Sequence, residues 1–253
     1  MSLNHSPAAG RLLLITATEM EMAPLRQALA AAGEMAGIDL LVCGVGPTAA
    51  AATVAAHLAG QGAGAGNRPC SGVILSGVGG LYPATAQAPG LLTFCLAEKE
   101  ILGDFGLAAP HGAEPFGNPE LDAQREFPLA SLLLEQAAAG VADLRLPCQR
   151  GIFLTLNAAS TTGSRGQALA ERYQAVCENM EGAAVALVCH RHRLPLVELR
   201  CISNLVEDRD LSRWLLGPAV RRQAEVMALL LPRLKSWAAA NGAAHDGESA
   251  AHG

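Results

Sequence analysis

Lysine is nearly missing from this chain. Of 18 Lys and Arg residues among 253, only Lys99 and Lys235 are lysines, and the net charge is −5. Charged residues of both signs make up only 16%. A nucleic-acid binder that relies on a basic face is therefore excluded. Aromatic residues are 4%, too few for a platform that stacks single-stranded bases. No run of like charge marks a tail or a membrane-surface patch. Apolar residues reach 51%, with alanine the commonest of them, and no stretch approaches the ~20 strongly apolar residues of a membrane span. Arg11 precedes the apolar run Leu12–Ile15, but Glu19 and Glu21 follow at once and no basic region comes before, so a secretory signal is not read. The 7 cysteines are scattered, odd in number and without a C-x-x-C pair, which leaves no disulfide framework and no zinc site. The expectation is a soluble cytoplasmic protein with buried, inert thiols.

What is present is a repeated alternation. Apolar runs at 12–16, 40–43, 72–75, 91–97, 151–156 and 196–202 read as strands buried on both faces. Between them, 21–32, 49–59, 129–139, 164–173 and 181–192 read as helices, and 211–240 as a long helix interrupted near Gly217-Pro218. This pattern predicts an α/β sandwich, a sheet covered by helices on both faces, in a single domain over 11–240. Residues 1–10 and 241–253 read as flexible termini, 61–69 as a glycine-rich loop, and 98–127 as a long surface loop.

Several motifs stand out. Gly44-Val45-Gly46-Pro47-Thr48-Ala49 has the G-x-G-x-x-A form of a dinucleotide turn, but no acid occurs between Asp39 and Glu98 to hold a ribose. A tight strand-to-helix turn, or a backbone wall lying close to a small ligand, fits better. Ser76-Gly77-Val78-Gly79-Gly80 ends another apolar strand, so two glycine runs share the carboxyl edge of the sheet, where α/β proteins bind ligands. Glu178-Asn179-Met180-Glu181 heads an apolar helix, and such acids are costly unless partnered or pocket-facing. Arg200, in an apolar strand that runs toward Asn204, needs a carboxylate partner. Glu19 and Glu21 follow the first strand, with solvated helix-start acids as the simpler reading. His190 and His192 lack the spacing of helical metal ligands and read as surface or packing residues.

Five segments in register, Thr16–Glu21, Cys43–Gly46, Ser76–Gly80, Asn179–Ala183 and Arg200–Asn204, resemble the nucleoside phosphorylase/nucleosidase family over about residues 11–236. Within it the chain is similar to the hydrolytic branch that includes methylthioadenosine/S-adenosylhomocysteine nucleosidase. Its nearest likeness there is to the members that release hypoxanthine in the alternative menaquinone pathway. The resemblance implies a three-layer αβα sandwich with a central mixed sheet, phosphorylase/hydrolase-like. It implies cleavage of a purine N-ribosidic bond through an oxocarbenium-like transition state, with no cofactor and no metal. It implies a small purine nucleoside as partner, no nucleic acid or membrane, and assembly into a homodimer or higher homo-oligomer. By the same resemblance Glu21 activates water and Glu181 binds the ribose hydroxyls. Met180 packs on the sugar, and Asn179, Gly77, Val78, Ser160 and Thr161 line the substrate pocket.

Two departures from the family pattern bear on the substrate. Adenosine-cleaving members carry aspartate where this chain has Asn204. An amide cannot protonate purine N7, but it can donate to N7 or O6, which points to a 6-oxopurine. Those members also place a serine where Val78 stands. The alternatives are a methylthioadenosine/S-adenosylhomocysteine nucleosidase, a 6-oxopurine nucleoside phosphorylase, and a nucleoside-binding protein without turnover. No Lys or Arg lies between Arg26 and Arg68, so a cationic phosphate site is not evident and hydrolysis is the expected reaction.

Overall fold

The computed structural model describes residues 10–60, 70–83, 90–109, 112–121, 123–207 and 209–241. The glycine-rich loop at 61–69 and nearly all of both termini read from sequence lie outside them. In chain order the elements are β1 (Arg11–Thr16), α1 (Glu19–Ala31), β2 (Ile38–Val42), α2 (Pro47–Gly60), β3 (Cys70–Leu81) and β4 (Phe94–Leu102). Next come β5 (Leu107–Ala109), β6 (Gly112–Glu114), β7 (Glu126–Pro128), α3 (Leu132–Asp143), β8 (Cys148–Thr155) and α4 (Gly163–Tyr173). The last are β9 (Ala175–Asn179), α5 (Gly182–Arg191), β10 (Leu196–Leu205) and α6 (Leu216–Asn241).

The sheet is mixed, as expected. β2, β1, β3 and β10 run parallel in that order, while β4 pairs antiparallel with β10 and parallel with β8. β8 continues parallel to β9, and β9 returns antiparallel to β3 through Gly80↔Glu178 and Leu81↔Cys177. Five strands, β3, β10, β4, β8 and β9, thus close a ring, and β1 and β2 extend from it. Closure is possible because β3 is 12 residues long: its first part pairs with β1 and its end reaches β9. Helices α1, α3 and α6 pack on one face and α2 with α5 on the other. Alternation along β10 shows the two sides. Gln223 of α6 donates to the Leu199 carbonyl and to Ser76 Oγ, whereas Glu198 and Arg200 turn away from α6. No helix among the described residues is long and apolar enough to cross a membrane.

Four local readings are corrected. The Ser76–Gly80 run is not a strand end, because β3 continues through it. The segment 98–127 is not all loop: β4 runs on to Leu102, paired on both sides, with Glu100 fully buried, and β5, β6 and β7 follow. Glu178 and Asn179 belong to β9, a five-residue strand too short for its apolar start, Ala175-Val176-Cys177, to be seen as a pattern, and α5 starts after Glu181. At 211–213 the chain makes a short 3-10 turn, and α6 begins at Leu216 with Pro218 in its first turn, where its missing N–H costs nothing.

Candidate active site

A cavity of ≈ 300 Å3 opens at the carboxyl ends of the parallel strands, lined from β3, β9, β10 and the starts of α1 and α5. Local sequence decides what faces it. Thr18 caps α1 and Glu21 sits at the third helical position, completing a capping box. Glu21 Oε2 accepts from the Thr18 amide at 3.1 Å and hydroxyl at 3.0 Å. Its Oε1 accepts from the Val78 amide at 3.1 Å. Glu21 is 7% exposed. Gly77 makes this approach possible, since a Cβ there would lie 2.7 Å from Glu21 Oε1 and 2.8 Å from Arg200 Nη1. Glu19, two residues earlier, points to solvent and pairs with Arg26 at 2.8 Å.

Glu181 caps the start of α5 without a side-chain capping bond, which leaves its carboxylate for the cavity. Oε1 accepts from the Gly46 amide at 3.2 Å, and Oε2 lies 3.3 Å from Arg200 Nη2. Gly44 and Gly46 have φ of +87° and +92°, so the turn after β2 requires glycine and presents an amide to a carboxylate. That is the backbone-wall reading of the glycine motif. Burial pushes the Glu181 carboxyl above its ordinary value, against the opposing pull of Arg200 and the Gly46 amide.

Arg200 has the partners its apolar strand demanded. Nε donates to Glu198 at 2.9 Å, Nη2 to Glu181 and Nη1 to the Val78 carbonyl at 3.3 Å. It is 1% exposed. Burial opposes its charge, but Glu198, Glu181 and Glu21 outweigh it and hold the guanidinium above its ordinary value. Breaking such a buried pair by removing one partner costs roughly 3–5 kcal/mol.

At the other end of the cavity, Asn204 lies beside a register shift in β10 between Ile202 and Asn204. A regular strand would send neighbouring side chains to opposite faces; this irregularity lets Ser203 and Asn204 both line the cavity. Asn204 Oδ1 accepts from Ser203 Oγ at 2.8 Å, and Nδ2 donates to the Leu205 carbonyl at 3.2 Å.

Of the residues expected from sequence, Glu21, Val78, Ser160, Asn179, Met180, Glu181 and Asn204 line this one cavity. Gly77 lies just beneath, between Glu21 and Arg200. The Asn179 side chain works behind the wall: Oδ1 accepts from the amides of Glu181 at 2.9 Å and Gly182 at 2.7 Å. Thr161 is not brought in; it is exposed and outside the lining. His190 and His192 are exposed on the far end of α5.

Glu178, Trp214 and Leu216 are among the lining residues that sequence reasoning left without a role. Glu178, 7% exposed, accepts from the Ser160 amide at 2.8 Å, Ser160 Oγ at 2.7 Å and Tyr82 Oη at 2.8 Å. Its place in the acidic run signalled burial, but only the β9–β3 pairing turns it to the cavity. Trp214 and Leu216 come from the segment after β10, and nothing in their local pattern points there. Chemically, the cavity offers carboxylates fixed by backbone amides at one end and an amide side chain at the other. Among its described lining residues the sole cation is Arg200.

The family model described as "Phosphorylase superfamily" matches residues 11–234. Futalosine hydrolase of Streptomyces coelicolor is 32% identical over 202 residues, 79% of this chain and 81% of that protein. Futalosine hydrolase of Thermus thermophilus is 32% identical over 200 residues, 77% of this chain and 81% of that protein. Among solved structures, 5′-methylthioadenosine/S-adenosylhomocysteine nucleosidase of Helicobacter pylori superposes with a TM-score of 0.72 at 17% identity, covering 89% of this chain and 99% of that one. The matched span runs from β1 into α6 and takes in every strand that builds the cavity, so this chain belongs to the phosphorylase superfamily.

Proposed function

We propose that this chain is an N-glycosyl hydrolase that cleaves the N-ribosidic bond of futalosine, releasing hypoxanthine and dehypoxanthine futalosine in menaquinone biosynthesis. Its likeness to two curated futalosine hydrolases over more than three quarters of the chain supports the substrate. The observation that carries the reaction class is the charge of the cavity. Glu21, Glu178 and Glu181 face it, and Arg200 is already paired twice. A phosphate nucleophile would meet net negative charge and no free cation among the described lining residues, whereas water would not be repelled.

In this reading Glu21 removes a proton from a water that attacks C1′ of the ribosyl group. The C1′–N9 bond breaks and its electron pair leaves with the purine, which takes a proton from solvent. Glu181 binds the ribose hydroxyls, and its charge favours the cationic sugar. Met180 packs on the sugar, and the backbone around Gly77-Val78 together with Ser160 borders the substrate. Asn204 donates to N7 or O6 of the leaving base. Glu178, an acceptor on both oxygens, complements the N1–H that a 6-oxopurine has and a 6-aminopurine lacks. Residues 11–240 act as one catalytic unit in the cytoplasm, in keeping with seven free thiols. Met20 and Val45 line the cavity yet are 52% and 55% exposed, an apolar mouth that a second copy in a homodimer or higher homo-oligomer would cover.

The test is a panel of futalosine, inosine, methylthioadenosine and adenosine, with and without phosphate, in which the released base is quantified. Hypoxanthine from futalosine in phosphate-free buffer is expected. Preference for methylthioadenosine, or strict phosphate dependence, would overturn the reading.

A further inference from the structure

Behind the cavity wall lies a second carboxylate layer that the reaction does not touch. Glu100 of β4 and Glu198 of β10 are both completely buried. They meet beneath Gly182, where a Cβ would collide with a carboxyl oxygen of each. Three groups arrange Glu100. Asn179 Nδ2 donates to Oε1 at 2.6 Å, Thr155 Oγ1 donates to Oε2 at 2.8 Å, and Glu198 faces it side chain to side chain. Glu198 Oε1 takes Arg200 Nε at 2.9 Å, but its buried Oε2 receives no N–H donor. Two carboxyls in contact, one with an unfilled oxygen, require a proton between them, because two anions cannot share so small a dry volume.

The charge count leads the same way. Glu21, Glu181, Glu198 and Glu100 form one connected buried group whose only guanidinium is Arg200. The other titratable groups facing the pair are thiols: Cys177 of β9, which interacts with Glu198, and Cys95 of β4, hydrogen-bonded to Cys177. Burial holds the Cys177 thiol far above its ordinary value, so it stays neutral and adds no further negative charge. Burial, then Glu198, likewise drive the Glu100 carboxyl well above the carboxylate range.

We propose that Glu100 is a positioning residue: its protonated carboxyl donates to Glu198 Oε2, and the pair aims Arg200 at Glu181. The chain runs Thr155 and Asn179 to Glu100, Glu100 to Glu198, Glu198 to Arg200 and Arg200 to Glu181. Asn179 ties both ends, since its Oδ1 also holds the amide of Glu181. A neutral Glu100 leaves Glu198 one full negative charge to pair with Arg200. An ionised Glu100 would place a second anion there, draw Arg200 inward and release Glu181. The inference rests on Glu181 as the sugar-binding carboxylate of the proposed function, while the protonation itself does not.

Two measurements test it. Infrared difference spectra of wild type against Glu100→Gln at neutral pH read the carbonyl stretch of a protonated carboxyl without substrate. That band is expected in wild type and absent from the variant; its absence from wild type overturns the proposal. Infrared titration of wild type against Glu198→Gln gives the same answer if Glu100→Gln does not fold. Kinetics then use whichever nucleoside the wild type cleaves. Glu100→Gln keeps a neutral donor and is expected to stay within about threefold of wild-type kcat/KM. Glu198→Gln leaves Arg200 half-paired and is expected to lose about 10²-fold, with KM rising and a Tm below that of Glu100→Gln. Equal losses in the two variants, or a wild-type KM in Glu198→Gln, overturn the positioning role. If no nucleoside is cleaved, the proposed function fails while the infrared result still decides where the proton lies.

Discussion

The Val78 amide and the Glu21 carboxylate are 57 residues apart in sequence and 3.1 Å apart in space. This bond, with the Thr18 cap on the other oxygen, fixes a carboxylate at the cavity edge without any cation touching it. Glu21→Gln preserves the shape and the capping position while removing the proposed base. Turnover is expected to fall by at least ~10²-fold with substrate affinity largely kept. Single-turnover rates alongside equilibrium binding check this, and near wild-type turnover would take Glu21 out of the mechanism.

Gly77→Ala should damage the site from below. The added Cβ would meet both Glu21 Oε1 and Arg200 Nη1 closer than 3 Å, and neither is a free side-chain end able to swing away. Overpacking of this kind costs about 1–3 kcal/mol. A lowered Tm together with reduced kcat is the expected pair of results. A loss of stability with kcat intact would mean that Glu21 tolerates displacement.

The raised Glu181 carboxyl gives a pH signature. In the proposed mechanism Glu181 acts as the anion, so the acidic limb of kcat/KM should lie above the ~4.3 of an unperturbed glutamate. The stability sign is opposite. The folded state holds this proton more tightly than the unfolded chain, so the contribution is full below the unfolded value and declines as pH rises through the folded one. On mild acidification, activity should therefore fall before the fold does. Parallel pH profiles of kcat/KM and Tm decide it, and coincident losses would refute it.

Asn204→Asp should exchange one base edge for another. The Ser203 hydroxyl can still donate to the new side chain, so folding is expected to persist. A carboxylate facing O6 sets acceptor against acceptor, and such mismatches in buried sites reach ~10² or more. The ratio of kcat/KM for 6-oxo over 6-amino nucleosides should drop by that order. An unchanged ratio would reduce Asn204 to a turn residue.

Phosphate should neither accelerate the reaction nor enter the product. Initial rates across a phosphate series, with phosphorus NMR of the sugar product, give the answer. A ribosyl phosphate product would show that Arg200 leaves Glu198 and Glu181 to serve an anion.

Much of the fold was legible because its causes are local. Apolar runs such as 12–16 and 72–75, short and apolar throughout, read as strands buried on both sides, and Gly44 and Gly46 announce a turn that needs positive φ. The family followed from five short segments in register, and with it the carboxylates at 21 and 181. Sequence alone also showed that Arg200 needed an acid. Glu198 stands two residues before Arg200 on the same face of β10, whereas Glu181 is brought to it only by the packing of the start of α5. The place of Glu178 was decided by strand pairing: a five-residue strand is too short to carry a periodic signal, and only closure of the ring through β3 and β9 turns it to the cavity. Glu100 looked like the start of a surface loop because a charged residue is cheap in water. The tertiary structure buries it by supplying Thr155, Asn179 and a facing carboxyl from β8, β9 and β10, partners that no local pattern can announce.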